Sequence, residues 1–553
     1  MRVAQAVGRL VGEAGSRHVF GVVGSGNFHV TNALVDGGAR FVAARHEGGA
    51  ATMADAYARM SGELGVLTVH QGCGLTNAMT GITEAAKSRT PLLVLAADTA
   101  AAAVRSNFRI DQDSLAASVG ALPRRVRSPE TAVQDVREAV QTAVGQRRTV
   151  VLNLPLDVQA ADLPGELPGE LPHPRPPVRP PPVAPSPADA ARLAELLSGA
   201  ARPVFVAGRG AAGARQALED LAERCGALIA TSAVARGLFT GNPWSLDVSG
   251  GFASPLAAEL ISGADLVVGW GCALNMWTMR HGRLIGPGAR VVQVDVEADA
   301  LGAHRPIDLG VVGDVAETAA AVSAQLTGPP PGSRTGYRTL DVAQRLRTSL
   351  RWRDVPYDDD SDDQTIDPRT LSIGLDDVLP AERVIAVDSG NFMGYPSMFL
   401  GVPDERSFCF TQAFQSVGLG LASAIGAALA RPDLLPIAAL GDGGALMGAA
   451  ELDTVRRLGL PMVVVVYDDE AYGAEVHHFG PDGYALDTVQ FPPTDLAAIG
   501  RGYGFDAVTV RGPDDLAGVA AWVAGARDRP LLVDAKVSSS SPSWWLAEAF
   551  RGH

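Results

Sequence analysis

Cysteine is scarce in this sequence: Cys73, Cys225, Cys272 and Cys409 are the four in 553 residues, and no two form a CxxC pair. That scatter excludes a disulfide framework and a cysteine-based zinc site, and it fits a reducing compartment. Lysine is scarcer still. Only Lys87 and Lys536 occur, arginine supplying the remaining basic charge, and we read this as compositional bias without functional content. Positive charge is outnumbered, the net charge being -15, so the phosphate backbone of a nucleic acid is not an expected partner. Long apolar runs are missing too. The most apolar stretch, Gly418 to Ala430, is too short and glycine-rich to cross a bilayer. The first twenty residues lack the continuous apolar core of a signal peptide. A soluble cytoplasmic protein with no membrane partner is expected.

Proline, by contrast, is concentrated. LPGELPGELPHPRPPVRPPPVAPSP (163–187) can sustain neither helix nor strand ladder. A second break, TGPPPGSRTG (327–336), is followed by the acidic stretch YDDDSDDQ (357–364). A chain this long exceeds one core. The breaks bracket segments 1–162, 188–326 and 366–540, with a tail at 541–553. Each segment alternates short β-rich runs (TVVLNLP, PVFVAG, RVIAVDSG, PMVVVVYDD) with alanine-rich helical patterns, the signature of parallel sheets. The expected class is α/β, with three doubly wound parallel-sheet domains.

The sharpest chemical signal lies in LLPIAALGDGGALMGAAELDTVRRLGLPMVVVVYDDEAYG. A strand ends at Leu440 and meets Gly441-Asp442-Gly443-Gly444; a helix is predicted from about Ala449 to Leu458, and a second buried strand runs into Asp468-Asp469. In a right-handed β-α-β unit both strands deliver their carboxyl ends to one edge of the sheet. Asp442 and Asp469 therefore face one site. Glycines there let backbone N–H groups approach an anion, and paired carboxylates beside phosphates suit magnesium. GDG alone is an ordinary strand-to-helix turn; the second acidic pair makes it a site. The segment resembles the thiamine-diphosphate motif, which opens with GDG and closes on an asparagine pair. This chain departs at that end, carrying Asp468-Asp469.

The resemblance extends through all three segments. Gly21 to Gly26, RHEGGA and HQGCGLTNAMTGITEAAKSRTPLLVLAAD are similar to the pyrimidine-binding domain of the acetolactate synthase and pyruvate oxidase family. By itself Glu47 is a helix-initiating glutamate. The resemblance makes it the acid that activates the cofactor, in a small, apolar setting that favours proton sharing with a ring nitrogen. It also implies cofactor contacts at Gly24, Gly72 and Asn77, with Cys73 where the family has proline. In the third segment it implies contacts at Asn391, at Gln415 (the carbonyl that receives the 4'-amino group), at Val417 (the wedge that bends the cofactor), and at Gly441, Asp442, Gly443, Gly444, Asp469, Ala471, Tyr472 and Gly473. Phe392 stands where histidine is common. Asp442, Asp469 and the main chain at Ala471 would hold magnesium.

Substrate-facing residues are fewer. Gln112 falls near the carboligase glutamine, with Asp113, Arg124 and Arg125 nearby. Glu475 coincides with a decarboxylase glutamate beside the reacting carbon. His70 sits alone in its loop, and His477 and His478 either line the entrance or pair on the surface. Gly208-Arg209-Gly210-Ala211-Ala212-Gly213 matches a dinucleotide fingerprint, but no acidic residue ends the next strand, so FAD in the central segment is not favoured. The implied activity is decarboxylation of a 2-keto acid such as pyruvate and ligation of the enamine to an aldehyde or keto acceptor. Alternatives are non-oxidative decarboxylation to an aldehyde, or a non-catalytic regulatory subunit, against which Glu47, Asp442 and Asp469 argue. Glu47 and Asp442 lie in different domains, so a homo-oligomer with sites at a dimer interface follows from the family pattern.

Overall fold

The computed structural model describes residues 1–164, 180–326 and 335–549. Most of both proline-rich breaks, and 550–553 of the tail, lie outside them. The first sheet holds β1 (His18–Gly21), β2 (Arg40–Ala43), β3 (Gly65–Val69), β4 (Leu92–Asp98), β5 (Leu122–Arg125) and β6 (Thr149–Pro155). The second holds β7 (Pro203–Ala207), β8 (Leu228–Thr231), β9 (Ser245–Val248), β10 (Leu266–Trp270), β11 (Arg290–Asp295) and β12 (Leu309–Val312). The third holds β13 (Arg383–Val387), β14 (Phe408–Phe410), β15 (Leu435–Gly441), β16 (Val463–Asp468), β17 (Asp506–Val510) and β18 (Leu531–Lys536). Strand orders are β2-β1-β3-β4-β6-β5, β12-β11-β10-β7-β8-β9 and β14-β13-β15-β16-β18-β17. Neighbouring strands pair in parallel, as βαβ crossovers require. The expected class, three parallel α/β domains, is the fold observed.

The order of each sheet reverses next to its first strand, and loops leaving strands on either side of such a point form a crevice. In the first sheet these loops carry Gly24 and Gly72; in the third they carry Ser389 and Asp442. The first and third sheets share one hydrophobic core, running from Phe20 and Val42 through Ile425 to Val466. Its seam is the helix Glu47–Ser61 against the helix Gly420–Ala430, both rich in small residues. The backbones come so close that a Cβ on Gly426 would lie 2.2 Å from the Met53 carbonyl.

The helix expected from about Ala449 to Leu458 is present, as a 3-10 turn Ala449–Glu451 running into the helix Leu452–Leu458, and a separate short helix, Asp442–Met447, precedes it. Gly441 is extended (φ -86, ψ 165) and acts as N-cap, and a carboxylate in the first turn favours the helix through its dipole. The segment then breaks at Gly448 before resuming over Leu452–Leu458, which ends on left-handed Gly459.

Candidate active site

Three strand ends of the third sheet build one half of the site. β15 delivers Asp442, buried at the start of its helix. β16 delivers Asp469, whose carboxylate accepts from the Asn391 side chain and the Ala471 backbone N–H. Burial, and after it the charge of Asp468, pushes the Asp442 carboxyl up to about 7. Burial, and after it the charge of Asp442, does the same for Asp469. The pair thus shares one site, as the βαβ argument requires. The residues fit a divalent cation: two oxygen donors, dehydrated and mutually repelling, beside backbone N–H groups at a helix start. A Cβ on Gly444 would lie only 2.4 Å from Oδ2 of the buried, fixed Asp388, so that position demands glycine, while one on Gly443 would lie 2.7 Å from the Tyr472 ring and displace it. The loop carrying Ala471, Tyr472 and Gly473 is pinned from behind: Tyr472 N–H donates to Val489 O and Phe491 N–H to Glu470 O, both at 2.8 Å.

The end of β13 supplies a residue the sequence reading passed over. Asp388 is fully buried and accepts from the N–H groups of Ser389 (2.8 Å), Gly418 (3.0 Å) and Leu419 (3.2 Å). It fixes the turn in which Gln415 (φ 64) and Gly418 (φ 89) are left-handed and from which Val417 projects. Val417 Cγ1 is 3.4 Å from where a Gly444 Cβ would be, so the wedge position adjoins the GDGG turn. Asn391 is held as well: its side-chain oxygen accepts from Ser543 Oγ and its carbonyl from Trp545 Nε1, each at 2.8 Å. The tail helix Trp544–Ala549 therefore supports the site. A cavity of about 410 Å³ beside it, walled by Trp352, Tyr395, Phe399 and Trp544, includes none of Glu47, Asp442 and Asp469 in its lining.

The first sheet builds the other half. Glu47 opens its helix, and its Oε2 accepts from the Asn77 amide at 3.1 Å. Glu451, which the sequence reading also missed, accepts from the backbone N–H groups of Arg45 and His46, both at 3.0 Å, and so clamps the turn before Glu47 to the third domain of the same chain. Gly72 is left-handed (φ 63), and a Cβ there would meet the Phe108 carbonyl at 2.4 Å. Gly24 lies against the His70 ring. The neighbours of His70 are Ser25, whose Oγ is 3.4 Å from its Nε2, and exposed Cys73, 4.0 Å from its Nδ1.

Gln112 takes a different role from the one expected. It is buried, accepting from Gly72 N–H (2.9 Å) and donating to Asn153 (2.7 Å) and the Ala97 carbonyl (3.1 Å), so it shapes the Gly72 turn instead of reaching out to a substrate. Arg125 is committed to Asp98 and Asp113, while Arg124 is exposed. Glu475 is exposed in the first turn of the helix Gly473–Phe479. His477 and His478 are half-buried, His478 edge-on to Phe479 at 4.6 Å. In the central domain the first two fingerprint glycines serve packing, a Cβ on Gly208 lying 2.2 Å from the Gly271 carbonyl, while Gly213 has open space beside it and is left-handed (φ 80). No helix among the described residues is long and apolar enough to cross a membrane.

Paired α/β domains, one presenting a glutamate and the other a GDG turn with a second carboxylate, define the class of thiamine-diphosphate enzymes. Residues 1–117 match the thiamine pyrophosphate enzyme N-terminal TPP binding domain, 190–322 the central domain and 388–535 the C-terminal TPP binding domain. A probable 2-ketoarginine decarboxylase of Pseudomonas aeruginosa is 30% identical over 93% of this chain and 90% of its own length. A probable acetolactate synthase large subunit of Methanocaldococcus jannaschii is 25% identical over 93% and 88%. A probable sulfoacetaldehyde acetyltransferase of Rhizobium meliloti is 26% identical over 93% and 90%. The chain belongs to the thiamine pyrophosphate enzyme family and is an acetolactate-synthase-like, thiamine-diphosphate-dependent enzyme of the carboligase and decarboxylase type.

Proposed function

We propose that Asp442, Asp469 and the main-chain carbonyl of Ala471 bind a magnesium ion that carries the cofactor diphosphate, and that Glu47 activates the cofactor. The observation that carries this reading is the dehydrated Asp442–Asp469 pair at neighbouring strand ends, whose charges a divalent cation would compensate. Thiamine diphosphate, when bound, would supply a nucleophilic carbon to attack the 2-keto acid and a cationic ring to take up the electron pair released on decarboxylation. Around it the chain's own groups orient and shuttle protons. Asn77 occupies Oε2 of Glu47, leaving Oε1 to hold the proton exchanged with the pyrimidine ring nitrogen. Asn391 aims Asp469, Asp388 sets the turn from which Val417 supports the bend, and the Gln415 carbonyl receives the amino group.

The same reading makes the enzyme a homo-oligomer. Phe414 in the turn before Val417, Met447 at the end of the helix after the GDG turn and Tyr472 in the loop after β16 have relative exposures of 46%, 58% and 37% in the single chain, apolar side chains that a second copy's first domain would cover. Among the described residues, the hydrogen-bond partner of the Glu47 carboxylate is Asn77, within its own domain.

The reaction we infer is decarboxylation of a pyruvate-like 2-keto acid followed by ligation to a second carbonyl compound. A second reading, release of an aldehyde, is favoured by the exposed Glu475 carboxylate on the helix leaving the metal site. Product analysis with pyruvate alone, and with an added aldehyde, tests both. Ligated product supports the first reading, free acetaldehyde in both incubations supports the second, and no carbon dioxide release from pyruvate refutes a pyruvate-like donor.

A further inference from the structure

One of the two lysines in the sequence is buried a single residue away from a proposed metal ligand. Lys536 ends β18 directly opposite Asp468 in the β16–β18 register, and both side chains are more than nine-tenths buried. Its ammonium group is hydrogen-bonded to Asp468 Oδ2, lies 3.2 Å from Asp534 Oδ1 and donates to the Thr494 carbonyl at 3.0 Å. Asp468 and Asp469 stand together where the resembled motif closes on an asparagine pair. Asp468 adds a third carboxylate beside Asp442 and Asp469, and a buried charge without a partner is costly. Successive side chains at a strand end point to opposite sides. Asp468 can therefore turn to Lys536 while Asp469 turns to Asn391.

We propose that Lys536 is a positioning residue of the metal site: by pairing with Asp468 it holds that carboxylate off the ion and offsets its charge, leaving Asp469 as the β16 ligand. This rests on the magnesium reading above. A lysine suits this position, since its compact ammonium on a flexible stem reaches two carboxylates and a carbonyl at once, whereas a guanidinium presents its donors in a fixed planar fork.

The test is calorimetric titration of the cofactor-free full-length protein with thiamine diphosphate in saturating magnesium, with the thermal midpoint of each cofactor-free variant as a second readout. Lys536→Met should weaken binding at least tenfold. Asp468→Asn/Lys536→Met should return affinity to within threefold of wild type. Asp534→Asn/Lys536→Met should not, although it too removes one buried charge. If Lys536→Met fails to fold, the two double variants decide the question alone. Unchanged affinity in Lys536→Met would overturn the proposal. So would rescue by the Asp534 double variant only, which would make the lysine a fold-stabilising group, and so would failure of the Asp468 double variant to fold or bind. Asp469→Ala is the control for the underlying reading: if it binds normally the magnesium site itself is wrong, whereas its failure beside a normal Lys536→Met defeats only the role of the lysine.

Discussion

Asp388 offers the most direct check on how the wedge turn is held. Its carboxylate accepts from two consecutive backbone N–H groups, Gly418 and Leu419, as well as Ser389. Hydrogen bonds to a charged acceptor contribute roughly 1.5–3 kcal/mol each. Burial opposes them: it raises the Asp388 carboxyl from 3.8 to about 6, a shift equivalent to about 3 kcal/mol. Asp388→Ala removes both effects globally, but locally it leaves the two amides of the turn with no acceptor. We expect hydrogen-exchange protection at Gly418 and Leu419 to fall by roughly 10- to 100-fold, corresponding to about 1.4–2.8 kcal/mol of local opening. Asp388→Asn keeps one oxygen and should lose less. The sign of the pH effect follows from the raised value. The native state holds the proton more tightly than the unfolded chain, so this group's contribution is greatest below about pH 4 and is lost as pH rises through about 6. The stability difference between wild type and Asp388→Asn should therefore move against wild type between pH 4.5 and 7, read as paired thermal midpoints. Protection in Asp388→Ala within twofold of wild type, or a pH-independent difference for Asp388→Asn, would refute the reasoning.

Three further substitutions probe the proposed chemistry. Asp442→Ala should abolish magnesium-dependent thiamine diphosphate binding in calorimetry, one remaining carboxylate being too few for the ion; near-normal affinity would remove Asp442 from the site. Glu47→Gln should fold and bind cofactor, while turnover and exchange of the cofactor C2 proton, followed by quenched-flow NMR, fall roughly 10²–10⁴-fold. Glu475→Gln should lower aldehyde release relative to ligated product if the carboxyl donates a proton in the pocket, and an unchanged product ratio would place it outside the chemistry.

The class of fold was legible because parallel strands buried on both faces read as unbroken apolar runs, such as Val463 to Tyr467, and those runs ended in the residues that matter. Asp442 and Asp469 could be joined on topology alone. What the sequence concealed were long-range partners. Gln112 matches a substrate-contacting pattern, yet its carboxamide is used up by Gly72, Ala97 and Asn153, which no spacing rule links. Glu451 and Asp388 look like surface and strand-end acids until their backbone donors, far away in sequence, are seen. A signal was present for Asp388, a lone carboxylate inside an otherwise small and apolar run, and it was read only at Glu47; Glu451, with Asp453 and two arginines close behind, carries no such signal. Gly208 and Gly210 illustrate the opposite error risk: a literal phosphate-loop pattern whose glycines are required by the neighbouring Gly271 turn.

The clasp formed by Ser543 and Trp545 on Asn391 has a consequence for biosynthesis. All eighteen strands of the described residues precede it in the chain, so the three domains can form before the residue that aims Asp469 is secured. A ribosome must release the segment beyond Pro542 before the half-site is fully braced, and a product ending at about residue 540 would have all three sheets while Asn391 stayed unanchored. Near Gly394, where a Cβ would collide with the Trp545 ring at 1.9 Å, the docking surface tolerates no side chain. Synthesis past Trp545 thereby becomes a condition for a fully braced site, and a nascent chain stalled before this point would be left with its proposed metal ligand incompletely aimed.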